Sequence, residues 1–236
     1  MITRQLLGTA QIPGQIPGQF PGGEDLRLFA HGRDFMIVMG HNELMNTRLR
    51  GSEEALATMA LDRLKGRKNP HLLIGGYGMG FTLRAALAAL GSDGRITVAE
   101  LVPEIIEWAE GPMAALTDGC LDDPRVTLRH GDVADAIADQ DFLYDAILLD
   151  VDNGPDGLVR PENNRIYSNR GLQIAMRALT PGGVLAVWSA GPDRAFTRRL
   201  TDAGFAVEEV TVHARIDANG KGKGPKHVIW FARGGA

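Results

Sequence analysis

Three carboxylates in this chain stand where an apolar run ends. Glu100 follows Ile96-Thr97-Val98-Ala99, Asp132 lies just beyond Val126-Thr127-Leu128, and Asp150 closes the run Ala146 to Leu149. A fourth run, Leu72-Leu73-Ile74, ends in the glycine cluster Gly75-Gly76-Tyr77-Gly78-Met79-Gly80. Short apolar runs bounded by turn residues read as buried strands. Glycines after a strand let the backbone turn tightly and approach a ligand where a Cβ would clash. A carboxylate at the tip of the next strand, about 20 residues on, is placed to accept both hydroxyls of a ribose. The set therefore points to nucleoside binding, with all three acids in one crevice beside the glycine turn.

The glycine spacing narrows the nucleoside. A G-x-G-x-x-G dinucleotide fingerprint begun at Gly76 needs glycine where Phe81 stands, and one begun at Gly78 fails at Leu83. The pattern Gly76-x-Gly78-x-Gly80 suits adenosyl-sulfonium binders better than NAD binders.

These residues need a scaffold of alternating strands and helices. Phe81 to Leu90, without Gly or Pro, reads as the helix after the glycine turn. Pro103 suits a first helical position, and Ile106, Ala109, Met113 and Leu116 repeat at helical spacing. Helices are also expected at 171–179 and 195–203, with Val184 to Trp188 as a strand after Pro181-Gly182-Gly183. Segments 205–213 and 227–232 flank a basic Gly/Lys loop as a long antiparallel hairpin. Upstream, Ser52 reads as the N-cap of a helix running to about Leu64, with Glu53 and Glu54 in its first turn. Leu26–Phe29 and Phe35–Met39 read as a β-hairpin, and 41–50 as a polar stretch. QIPGQIPGQFPGG at 11–23 has three Pro-Gly steps and reads as a turn-rich arm. The expected organisation is an arm at 1–24, a small β-hairpin segment at 25–50 and a nucleoside-binding domain at 51–236. The fold class is α/β: a Rossmann-like, doubly wound, mostly parallel seven-stranded sheet with an antiparallel C-terminal hairpin.

Composition sets bounds. At 236 residues and 44% hydrophobic content the chain can bury a sizeable core. A net charge of −4 gives no reason to expect nucleic acid. Cys120 is the only cysteine, so no internal disulfide or cysteine zinc site is possible. No apolar run approaches the ~20 residues of a membrane span, and Leu6-Leu7 is too short for a signal peptide. A cytoplasmic protein is expected.

The residues resemble the spermidine synthase (polyamine aminopropyltransferase) family, within the class I S-adenosylmethionine-dependent methyltransferase fold. LLIGGYGMG is similar to that family's strand and GGGDGG turn. ITVAELVPEIIEWA is similar to its strand ending in the ribose-binding glutamate, DDPRVTLRHGDVADAI to its adenine-contacting stretch, and YDAILLDVDNGP to its catalytic aspartate loop. Ile74 stands where many ordinary methyltransferases carry an acid, as it does in the aminopropyltransferases. The resemblance implies a nucleoside pocket built from Gly75, Gly76, Tyr77, Gly78, Gly80, Glu100, Leu101, Asp132, Val133 and Asp150. Glu100 would hold the ribose and Asp132 with Val133 the adenine. Asp150, with Asp152 and Asn153, would face a small-molecule amine acceptor. The donor would be decarboxylated S-adenosylmethionine or S-adenosylmethionine itself, with no metal, and the protein a homodimer.

Departures from the family lie on the acceptor side. Gly78 or Met79 replaces the aspartate of the glycine turn. Leu56-Ala57-Thr58 stands near the place of a Tyr-His-Glu stretch, and Asn153 replaces the loop's second aspartate. Alternatives to aminopropyl transfer are methyl transfer, for which Arg84 could anchor the methionine carboxylate, and a non-catalytic nucleoside-binding homologue. Tyr77 could stack on the ligand or cover the helix, while Tyr167 and Trp188 read as core or pocket wall.

Overall fold

The computed structural model describes residues 4–13, 25–139, 143–151, 154–155, 164–217 and 220–234. Four strands form an antiparallel N-terminal sheet in the order β1-β2-β3-β4: β1 (Gln5–Ala10), β2 (Leu26–His31), β3 (Asp34–Met39) and β4 (Asn42–Asn46). The expected hairpin is its centre, β2 with β3. The polar stretch after it supplies β4, whose alternation sequence reading passed over because its residues are mostly partly exposed. Most of the Pro-Gly arm lies outside the described residues.

After α1 (Gly51–Arg63) the chain alternates: β5 (His71–Gly75), α2 (Phe81–Ala89), β6 (Arg95–Glu100), α3 (Pro103–Glu110), α4 (Ala114–Thr117), β7 (Val126–His130), α5 (Val133–Ala138), β8 (Tyr144–Leu149). It continues through α6 (Asn164–Tyr167), α7 (Asn169–Ala178), β9 (Leu179–Ser189), α8 (Arg194–Asp202), β10 (Phe205–Ile216) and β11 (Gly222–Gly234). The seven-stranded sheet runs β10-β11-β9-β8-β5-β6-β7, parallel from β9 to β7 and antiparallel through β11 and β10. β5 is laid down first and the chain steps outward to β7, then returns to place β8 on the other side of β5. The crevice beyond the carboxyl ends of β5 and β8 is therefore a topological switch point, where doubly wound sheets bind ligands.

The two-residue period of the strands sorts the core into two layers. Leu72, Ile74, Ala146, Leu148, Val184 and Ala186 meet α1, α2 and α3 on one face. Leu73, Ile147, Leu149, Leu185 and Val187 meet α5, α7 and α8 on the other. Every residue of β8 is buried, as expected for a central parallel strand covered on both faces. The N-terminal sheet joins the first layer through Leu28, Ile37 and Met39. Among the described residues no helix is long and apolar enough to cross a membrane.

Three local expectations are corrected. Ser52 is not a cap: it lies inside α1, fully buried, with its Oγ 2.8 Å from Nδ1 of His227, while Arg50 occupies the N-cap without a side-chain bond. The repeat from Ile106 to Leu116 is two helices, because Gly111 precedes Pro112 and a residue before proline is driven out of the α region. Pro181-Gly182-Gly183 is a bulge inside one long strand, the register against β8 passing from Tyr144↔Leu179 to Ala146↔Val184.

Candidate nucleoside and acceptor cavities

The glycine turn is built as the spacing predicts. Gly76 and Gly78 have φ of 83° and 57°, a region that side chains disfavour. A Cβ on Gly76 would stand 2.8 Å from the Asp150 carbonyl oxygen, and one on Gly78 would stand 2.8 Å from Cε of Met45. At Gly75 and Gly80 the space is likewise filled by neighbouring residues. A Cβ at Gly75 would meet Val133 Cγ2 at 2.8 Å, and one at Gly80, the αL residue opening α2, would meet the Tyr77 hydroxyl at 2.8 Å.

Around this turn the three acids converge. One cavity is lined by Gly76 and Gly78, by Glu100 and Leu101 after β6, by Asp132 and Val133 after β7, and by Asp150 after β8. Tyr77 takes part only through its backbone. Its N–H donates to Glu100 Oε2 at 2.7 Å, while its buried ring turns toward Cys120, with the hydroxyl 3.4 Å from Sγ. The bland reading of this aromatic, as cover for the helix, is the one the structure shows.

Each acid has a distinct setting. Glu100 is 7% exposed, and Val102 N–H donates to its Oε1 at 2.9 Å, with the backbone N–H groups of Leu101 and Gly78 also acting on the carboxylate. Burial raises its pKa, against the pull of those backbone N–H groups. Asp132 caps α5 by accepting from Ala134 N–H at 2.9 Å and pairs through Oδ2 with Arg165 Nη2 at 2.9 Å. Asp150 is pushed up to about 6, chiefly by burial and against a 3.3 Å hydrogen bond from the Thr82 hydroxyl. Asp152 and Asn153 lie outside the described residues.

The N-terminal sheet closes the cavity. Ile12, Leu26, Ile37, Leu44 and Met45 form an apolar lid over the glycine turn. Sequence reading missed these residues because nothing local marks a strand as a roof over a site some thirty residues later. Leu44, Met45, Asp150 and Val151 also border a second cavity with Asn46, Ser52, Glu53, Trp188 and His227. Tyr167, by contrast, is core, packed edge-on against Phe196. Arg84 does not reach the nucleoside cavity, its Nη1 donating to the Leu116 carbonyl at 2.8 Å.

No family model matches the chain. Among curated proteins it is 30% identical over 203 residues to a polyamine aminopropyltransferase of Mycobacterium tuberculosis, covering 81% of this chain and 35% of that one. It is 32% identical over 164 residues to the ribosomal RNA small subunit methyltransferase H of Xylella fastidiosa, covering 68% of this chain and 49% of that protein. The chain thus spans about a third of the length of the aminopropyltransferases it matches. Among solved structures, the spermidine synthase of Thermotoga maritima superposes with a TM-score of 0.72 at 17% identity, over 98% of this chain and 73% of that one. That likeness concerns the fold. The chain is thus similar in sequence to part of the polyamine aminopropyltransferases and shares the Rossmann-like methyltransferase fold of the spermidine synthases.

Proposed function

We propose that the protein is a transferase that binds decarboxylated S-adenosylmethionine in the first cavity and passes its aminopropyl group to a small amine held in the second. One observation carries the choice of donor. Glu100, Asp132 and Asp150 line the nucleoside cavity, and among the described residues no lysine or arginine does. Such a lining suits a donor that is positively charged and has no carboxylate to anchor. Arg84, which could have served an intact methionine tail, is engaged elsewhere.

In the transfer a bond forms between the acceptor nitrogen and the carbon beside the sulfonium as that carbon–sulfur bond breaks, leaving a neutral thioether and releasing one proton from nitrogen. The protein's task is mainly to hold the two reactants in line. Glu100 accepts the ribose hydroxyls, and Asp132 and Val133 border the base. The acceptor arrives protonated, since alkyl amines titrate near ~10. Asp150, on the wall shared by both cavities, anchors the ammonium and takes up its proton, with Asp152 beside it in the chain. The homodimer and cytoplasmic location are part of the same reading. The exposed Leu6 on the edge strand β1 supports pairing of a second copy there.

A second reading, methyl transfer from intact S-adenosylmethionine, is favoured by the likeness to the ribosomal RNA methyltransferase. Calorimetric titration with S-adenosylmethionine, its decarboxylated form and methylthioadenosine separates the two. Tighter binding of the decarboxylated donor is expected, and preference for the intact cofactor would move the assignment to methyl transfer. If none of the three binds, the nucleoside pocket itself is misassigned.

A further inference from the structure

Glu53 sits in the first turn of α1, where a carboxylate ordinarily does no more than favour the helix dipole. Here it does not point to open solvent. It is partly buried and lines the second cavity with Asp150. Among the described residues no hydrogen-bond donor pairs with its carboxylate, and no lysine or arginine lines the cavity. Burial, then the charge of Asp150, then that of Glu54 raise its pKa well above the usual carboxylate range. Glu43 also lines the cavity but accepts from Asn46 Nδ2 at 2.6 Å, whereas Glu53 and Asp150, sharing a partly dry space, repel one another unless a proton or a cation lies between them.

The rest of the cavity suits an organic cation. At about 260 Å³ it falls just short of the ~300–1,000 Å³ typical of pockets for drug-sized ligands. Trp188 and His227 meet edge-on in its wall, with ring centroids 4.8 Å apart, and aromatic rings attract ammonium groups. His227 is seated on the Ser52 hydroxyl, and its burial favours the neutral ring, which does not repel a cation. The indole N–H of Trp188 is buried with no acceptor among the described residues, a polar group still lacking a partner beside this cavity. One turn further along α1, Leu56 and Ala57 are fully buried in the core and contribute nothing here.

We propose that Glu53 is an acceptor-binding residue, clasping the ammonium of the incoming amine together with Asp150 against the Trp188–His227 wall. This rests on the aminopropyl-transfer reading, but it assigns the acceptor's grip to the first turn of α1, a place where sequence reading saw only a helix-start charge.

The test compares wild-type protein with Glu53→Gln and Glu53→Asp by calorimetry. Methylthioadenosine is titrated first, and then 1,4-diaminobutane and n-butylamine are titrated into protein saturated with it. Glu53→Gln should bind methylthioadenosine as wild type does, which also shows that it folds. Its amine dissociation constants should rise by about tenfold or more, the usual scale for losing a charge-assisted hydrogen bond, with Glu53→Asp falling between. Equal amine affinity in wild type and Glu53→Gln would overturn the assignment. So would the absence of any amine binding to wild type that does bind methylthioadenosine, or Glu53-dependent binding of Mn²⁺ without amine binding. Failure of wild type to bind methylthioadenosine would instead overturn the reading on which the assignment rests.

Discussion

The two cavities treat their carboxylates in opposite ways. On the nucleoside side, Glu100 holds a backbone N–H on each oxygen, and Asp132 is shared between a helix cap and Arg165. On the acceptor side, Asp150 has a single 3.3 Å bond from Thr82, and Glu53 has no donor among the described residues. Even the Thr82 bond is contested, since its hydroxyl carries one proton and lies 3.4 Å from the Glu53 backbone carbonyl as well as 3.3 Å from Asp150 Oδ2. Folding alone therefore partners the first set, and on the proposed reading an arriving cation would complete the second. A nucleoside pocket of this kind is preorganised. The second cavity, read as the acceptor pocket, would instead keep its interaction energy for the ligand.

The largest test of this contrast is Glu100→Ala. It strands the buried N–H groups of Tyr77 and Val102, so unfolding stability should fall by roughly 2–4 kcal/mol, and methylthioadenosine binding should become undetectable. Urea denaturation and calorimetry measure the two effects. A loss below ~0.5 kcal/mol would mean that the glycine turn does not depend on this carboxylate for its shape.

Asp150→Asn should act in the opposite direction on stability. The Asp150 carboxyl is raised to about 6, first by burial, above its ordinary value. Its contribution to stability is thus complete below pH ~4 and lost as pH climbs through ~6. Removing the charge should stabilise the protein at pH 7, relative to the effect at pH 4, by on the order of 2 kcal/mol. The difference between the two denaturation curves at each pH measures this. An identical effect at both pH values would show that Asp150 is not held in a strained, charged state. Turnover, by the same substitution, should be lost.

Arg165→Ala should have the smallest effect. Arg165 is half exposed where it pairs with Asp132 and Asp135, so the ion pairs contribute under ~1 kcal/mol. Methylthioadenosine affinity should weaken only a few-fold, because Ala134 N–H still orients Asp132. A hundredfold loss by calorimetry would make Arg165 part of the nucleoside site itself.

Much of the nucleoside side was legible because its signals are local. A strand ending in glycines, a helix and a strand ending in an acid each depend on a few consecutive residues, and the doubly wound topology carries every strand end to the same edge. Gly76, Gly78, Glu100, Leu101, Asp132, Val133 and Asp150 accordingly line one cavity. The errors came where residue type underdetermines direction. Tyr77 in a glycine turn could point either way, and the space beside Gly80 and Cys120 decided. Ser52 has the chemistry of a cap, yet His227, brought over by the C-terminal hairpin, took its hydroxyl.

The alternating α/β order, the glycine turn and the three acids at strand ends can be read from the residues in order, because strand period, glycine geometry and helix punctuation act over a few residues. That β2 to β4 roof the first cavity, that Arg165 pairs with Asp132 and that Glu53 shares a cavity with Asp150 came only from packing. Those contacts join segments far apart in the chain. Which of them form depends on how the layers pack, and packing is a property of the whole core that no short stretch of residues encodes.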